Sequence, residues 1–136
     1  MEQLSVFVEN KIGSLAKVTT VLKNENISIK AVSVFDSPEF SILRIIVDDS
    51  EKAKKLLKSK NFAARTTNVL AIQMEDKTGS LDNLLKVIQD NKLNIQYLYS
   101  FVYRGIVEPL LVLKVDDMEK AEKVLKENNI QIVNDL

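Results

Sequence analysis

Glu9-Asn10-Lys11-Ile12-Gly13-Ser14-Leu15 and Glu75-Asp76-Lys77-Thr78-Gly79-Ser80-Leu81 are one heptapeptide written twice, identical at five of seven positions under a shift of 66 residues. The same shift sets Ile29 on Ile95 and Phe35 on Phe101. Farther along, two additional residues in the second copy change the offset to 68, and ten of the fifteen positions from Val47 to Asn61 agree with Val115 to Asn129. Agreement in register at two separate places marks an internal duplication. The chain of 136 residues therefore reads as two copies of one unit, 1–68 and 69–136. No Pro/Gly/Ser-rich linker parts them: Thr66-Thr67-Asn68 runs straight into Val69-Leu70-Ala71-Ile72. That predicts copies packed closely together rather than strung apart.

Each copy alternates between two periodicities. Val69 to Met74 is an apolar run bounded by a turn, a strand signal. Leu81, Leu84, Leu85 and Ile88 then recur at helical spacing, as do Leu15, Val18, Val21 and Leu22 in the first copy. Asn26 and Asn91 suit helix exits, because asparagine tolerates the left-handed conformation. Strands follow at 27–35 and 93–103, turns near Ser37-Pro38-Glu39 and Arg104-Gly105, and return strands at 40–47 and 108–115. Second helices start near Asp49-Ser50 and Asp117-Met118, with acidic residues placed to suit the helix dipole. A short last strand closes each copy. The expected fold class is α+β: two ferredoxin-like βαββαβ domains in tandem, antiparallel sheets with helices on one face, packed as an intrachain pseudo-dimer. Units of this size bury too little surface to be comfortable alone, and joining two also covers exposed strand edges.

Composition removes whole classes of function. Lysine plus arginine equals aspartate plus glutamate at 19 each, so the chain has no electrostatic claim on nucleic acid or on an anionic membrane. It contains no cysteine and no histidine, which takes away disulfides, thiolate nucleophiles, zinc-thiolate sites and the commonest general base. No cofactor is expected. The N-terminus lacks a basic segment followed by a long apolar run, and no stretch approaches membrane-spanning length, so the expected location is cytoplasmic.

Two of only three glycines, Gly13 and Gly79, stand at the same place between first strand and first helix. In so glycine-poor a chain they point to a positive φ or a close approach to the backbone. Ser14 and Ser80 follow, with side-chain oxygens expected to cap free N–H groups. Those N–H groups and the helix dipole favour a carboxylate. The oxygen of Asn10 or Asp76, a few residues earlier, can accept from an ammonium. One short loop thus offers something to both ends of an amino-acid zwitterion. The same residues also satisfy ordinary turn chemistry, and Lys11 and Lys77 suit solvent. Tyr97, Tyr99, Phe101 and Tyr103 alternate along one strand face, as packing residues do.

With strand, Glu-Asn-Lys-Ile-Gly-Ser-Leu, helix, Asn-Ile and strand in order, both copies resemble the ACT domain, a family that regulates amino-acid metabolism by binding small ligands. Its loop carries Asp or Asn, any residue, proline, then glycine; here Ile12 and Thr78 stand where the proline would. The resemblance implies a ligand held at the interface of two paired domains, between the loop of one and the start of the second strand of the other. An asparagine often stands at that strand start, and Asn94 is such a residue, whereas the first copy has Ser28. The implied fuller site combines Asn10, Lys11, Ile12, Gly13, Ser14 and Leu15 with Asn94 and Gln96. The implied reciprocal site, Asp76, Thr78, Gly79, Ser80 and Leu81 with Ser28, is poorer in amides and is expected to bind less well.

The expected function is therefore regulatory and not enzymatic. A free amino acid is the expected ligand, and a homodimer or a regulatory partner enzyme is expected to receive the signal. The alternative is a ligand-free adaptor that uses the fold for protein association. An acylphosphatase-like hydrolase would need an arginine in the first loop, and Arg44, Arg65 and Arg104 are all elsewhere. An RNA-binding domain of the same strand order would need a basic-aromatic third strand, which is absent.

Overall fold

The computed structural model describes all 136 residues and divides them into two compact units, Glu2–Thr67 and Asn68–Leu136, Met1 being counted with the latter. The first contains β1 (Glu2–Glu9), α1 (Ser14–Asn24), β2 (Ile29–Asp36), β3 (Phe40–Val47), α2 (Ser50–Ser59) and β4 (Ala63–Asn68). The second contains β5 (Leu70–Gln73), α3 (Ser80–Asp90), β6 (Ile95–Phe101), β7 (Leu110–Val115), α4 (Met118–Glu127) and β8 (Gln131–Val133). The sheets run β2-β3-β1-β4 and β6-β7-β5-β8. Each unit is a βαββαβ fold of the ferredoxin-like kind.

Alternation along the strands builds each core. Leu4, Val6 and Val8 of β1 and Leu43, Ile45 and Val47 of β3 meet Val18 and Leu22 of α1 and Ala53 and Leu57 of α2 in one buried cluster. The second unit repeats it with Leu70, Ile72, Leu111, Leu113 and Val115 against Leu84, Ile88, Ala121 and Leu125. Period two on the strands and a stripe on each helix put both helices over one sheet face. The stripe of α3 is shorter than its spacing suggests. Leu81 is exposed at its N-terminal end, whereas Leu15 packs against the first core.

Several boundaries shift for hydrogen-bonding reasons. Ile27 and Leu93 donate to carbonyls of the preceding helices, Leu22 and Ile88, so they close those helices and strands β2 and β6 begin two residues later. Tyr103 accepts from Ile106 in a turn, ending β6 early at Phe101. Tyr97, Tyr99 and Phe101 lie opposite Lys114, Val112 and Leu110. Leu98, which alternates with them, packs on the core. The left-handed residue at the exit of α3 is not Asn91 but Lys92, at φ 57. Asn91 is the C-cap, and its amide donates to the Val87 carbonyl. The other three helix exits use asparagine, Asn26, Asn61 and Asn129.

The repeated Val-Asp-Asp has a division of labour. The second aspartate, Asp49 or Asp117, caps α2 or α4 by accepting from the N–H of Lys52 or Lys120. The first, Asp48 or Asp116, accepts from the backbone N–H of Ser28 or Asn94 and donates its own N–H to the same residue's carbonyl. Just beyond, the register of each edge strand shifts by one residue, at Lys30 in β2 and at Gln96 in β6, matching places in the two ladders.

Candidate functional site

The loops between β1 and α1 and between β5 and α3 are built alike. After β1 the Lys11 N–H bonds the Glu9 carbonyl, Ser14 N–H bonds Lys11, and Lys17 N–H bonds Gly13. After β5 the bonds are Lys77 to Glu75, Ser80 to Lys77 and Asn83 to Gly79. Gly13 and Gly79 are the N-cap residues, with φ 85 and 92. A Cβ at either would meet nothing within 4 Å, so the glycine is required by its torsion and not by crowding.

The helix starts differ within each unit. α2 and α4 are capped by aspartate side chains, whereas α1 and α3 have no side-chain cap. Capping by Ser14 and Ser80 is therefore not what the structure shows. Glycine takes the cap position, each serine becomes the first helical residue, and Ser14 is buried. The N–H groups of Ser14 and Ser80 go to the Lys11 and Lys77 carbonyls, and the first-turn N–H groups that follow them remain for water or an anion.

Side chains around the loops are pinned in different ways. Asn10 Nδ2 donates to the Asp36 carboxylate at 2.7 Å and to the Ser37 carbonyl at 2.8 Å, tying the loop to the β2–β3 turn. With both amide hydrogens used, Oδ1 is the acceptor atom left on the Asn10 side chain. In the second unit the direction reverses: Glu108, before β7, accepts from the Asp76 backbone N–H at 2.9 Å. Lys11 pairs with Glu9 at 2.8 Å, and Lys77 pairs with Glu75. The hydrogen bond and charge of Lys11 hold the Glu9 carboxyl below its ordinary value, and those of Glu75 raise Lys77 above its own. All four groups are exposed.

Of the expected site residues, Asn10, Lys11, Ile12, Gly13, Ser14 and Leu15 form one continuous loop and helix start in the first unit, with Ile12 fully exposed at the tip. Asp76, Thr78, Gly79, Ser80 and Leu81 do the same in the second. Ser28, Asn94 and Gln96 are exposed near the starts of β2 and β6. Within a unit, Ser28 and the Gly13 loop stand at opposite ends of the sheet. Glu9 pairs with Phe40 at one end of β3, and Ile29 pairs with Val47 at the other.

Two concavities adjoin the loops. Phe7, Lys11, Ser14 and Lys17 of the first unit, with Asn61 and Phe62, surround about 210 Å³. Lys77, Gly79, Asn83 and Glu108 of the second, with Asn129 and Gln131, surround about 530 Å³. Asp48, Asp116, Asp36 and Glu108 were not singled out from the sequence. The duplicated Val-Asp-Asp signals the first two, but nothing local marks the others, whose partners are 26 and 32 residues distant. No group of three or more carboxylates could hold a metal, and no helix is long and apolar enough to cross a membrane.

A family model described as an ACT domain pair matches residues 1–136. The chain belongs to that family. Among solved structures, the ACT pair is similar to protein BT0572 from Bacteroides thetaiotaomicron at 37% identity and TM-score 0.89, covering 97% of this chain and 90% of that one. It is also similar to the ligand-free regulatory subunit of aspartate kinase from Thermus thermophilus, at 15% identity and TM-score 0.67, covering 94% and 90%. A structure of aspartokinase alpha and beta subunits gives 15% identity and TM-score 0.62, covering 93% and 90%. The last two likenesses show the fold alone. None of the curated proteins matches the chain.

Proposed function

We propose that this ACT pair is a regulatory protein, not an enzyme, that binds a free amino acid at its strand–helix loops and passes the signal to a partner protein. The observation that carries this reading is the contrast between helix starts. α2 and α4 are closed by aspartate, while α1 and α3 open onto left-handed glycine with no cap. A ligand carboxylate takes the place of the missing cap, and the oxygen of Asn10 or Asp76 accepts from the ammonium. The similarity to the regulatory subunit of aspartate kinase supports a regulatory role for the fold.

Asn94 is the residue for the completing amide at a strand start, and Gln96, bulged beside it, is the second. The Asn10 loop with Asn94 is the stronger binder in this reading, because Asn10 is held in place by Asp36 and Ser37. The test is a thermal-shift screen with the twenty amino acids, since a ligand that binds only the folded chain raises its melting temperature. Calorimetry on wild type and Asn94→Ala follows with whichever ligand is found. Equal affinities would remove Asn94 from the site, and no shift with any amino acid would leave the adaptor reading.

A further inference from the structure

We propose that the helix layer of the first unit is a docking surface for a carboxylate-rich segment of another protein. The neutral chain conceals a division of charge. Residues 1–68 carry eleven basic and eight acidic side chains, and residues 69–136 carry eight and eleven. The excess of the first unit is concentrated on its helices. Lys17, Lys23, Lys52, Lys54, Lys55 and Lys58 stand on α1 and α2 against a single acid, Glu51. Helices α3 and α4 carry four lysines against five acids. All six lysines of the first layer are exposed except Lys54, which is half-buried.

Ion pairing follows the same division. Lys86, Lys123 and Lys126 of the second unit meet Asp82, Glu127 and Glu122 one helical turn away. No lysine of α1 or α2 forms an ion pair. Glu9 senses the charge of Lys17 but pairs with Lys11. The Lys52 ammonium donates to the Glu25 carbonyl at 3.1 Å, which fastens the start of α2 to the end of α1 and makes the two helices one cationic face. A shift of 68 residues shows the cause: Lys54 and Ser59 stand where α4 has Glu122 and Glu127. Like charges gathered on one face repel, and an anionic partner relieves that repulsion.

The chemistry of the face selects among polyanions. Neither helix contains arginine or an aromatic residue, the groups that grip phosphates in pairs and stack on bases. None of the exposed large apolar residues is on α1 or α2, so nothing there would enter a bilayer. A second copy offers α3 and α4, three of whose five acids are already paired. Ammonium groups on flexible stems suit the scattered carboxylates of an acidic protein segment. The surface is argued from charge and does not rest on the amino-acid reading, so it is tested without ligand.

The probe is a fluorescent oligoglutamate peptide of about fifteen residues, read by anisotropy against the full chain. Binding is expected in the tens of micromolar at low salt and should weaken at least about tenfold at about 0.5 M salt. Lys54→Glu with Ser59→Glu copies the second unit, placing acids one turn from Lys58 and Lys55, and supports the helix while neutralising it. This double variant should bind the peptide about tenfold more weakly. Lys120→Glu with Gln89→Glu, an equal change of net charge on the helices of the second unit, should stay within about twofold of wild type. A single-stranded oligonucleotide and phosphatidylserine vesicles should both bind more weakly than the peptide. No binding at low salt, equal losses in the two double variants, or tighter capture of the oligonucleotide or the vesicles would each overturn the proposal.

Discussion

In the first unit the glycine loop reaches out to hold its neighbour: Asn10 donates twice to the β2–β3 turn. In the second the neighbour reaches in, as Glu108 takes the backbone N–H of Asp76. The backbone path between strand and helix is the same, with glycines at φ 85 and 92 and equivalent turn bonds. Duplicated sequence preserved the torsions, because only glycine enters that region cheaply. The contacts that steady the loop diverged, because any donor and acceptor in reach will serve. A comparable divergence separates the edge strands. β2 exposes Val32 and Val34 between opposite charges, while β6 has no charged residue within its bounds.

The largest effects should test whether the cores, unlike the loops, remain equivalent. Leu57 and Leu125 are both fully buried at matching positions. Leu57→Ala and Leu125→Ala should each cost about 3 kcal/mol in urea unfolding. A twofold disparity would show that the cores have diverged as well. Next come the glycines: Gly13→Ala and Gly79→Ala should each cost about 1–2 kcal/mol, from torsion alone, since neither Cβ meets an obstacle. Thermal unfolding checks this, and unequal losses would break the claim of equal backbones.

Smaller effects should separate the two loops. Asn10→Ala should destabilise by about 1 kcal/mol and Glu108→Ala by about half of that, because two bonds are lost in one case and one in the other. Helix exits offer an exchange: Lys92→Asn should stabilise by about 0.5 kcal/mol and Asn26→Lys should destabilise by a similar amount, since both positions are left-handed. The smallest signals lie in pH. The contribution of Glu9, whose carboxyl is held below 4.5, is present above that value and lost as pH falls through the lowered one. That of Lys77, raised above 10.5, is present below that value and lost as pH rises through the raised one. Acid should therefore loosen the first ion pair and alkali the second, followed by nuclear magnetic resonance titration of Glu9 and Lys77. Exposure keeps both contributions small.

Much of the architecture was legible because it is periodic or repeated. The stripe Val18, Leu22 and the alternation Leu43, Ile45, Val47 specify buried faces whatever lies opposite. Gly13 and Gly79 stood out because their torsion is a local requirement that only residue type can meet. Local patterns failed where the backbone chose among near-equal neighbours. Asn91 and Lys92 both stand at the exit of α3, and the geometry of that exit placed lysine in the left-handed position. Ser14 had the chemistry of a cap, but its place one residue inside the helix turned it into the core.

The sequence by itself determined the duplication, the βαββαβ order and the two glycines at the turns into α1 and α3, since each depends on residue type at short range or on repetition. Only the tertiary structure decided that Asn10 meets Asp36, that Glu108 meets Asp76, and that Asp48 and Asp116 fasten the starts of β2 and β6. Those bonds join residues 20 to 32 positions apart. No local pattern encodes which distant donor will face which acceptor until strand pairing has brought the turns and strand ends together at both ends of the sheet.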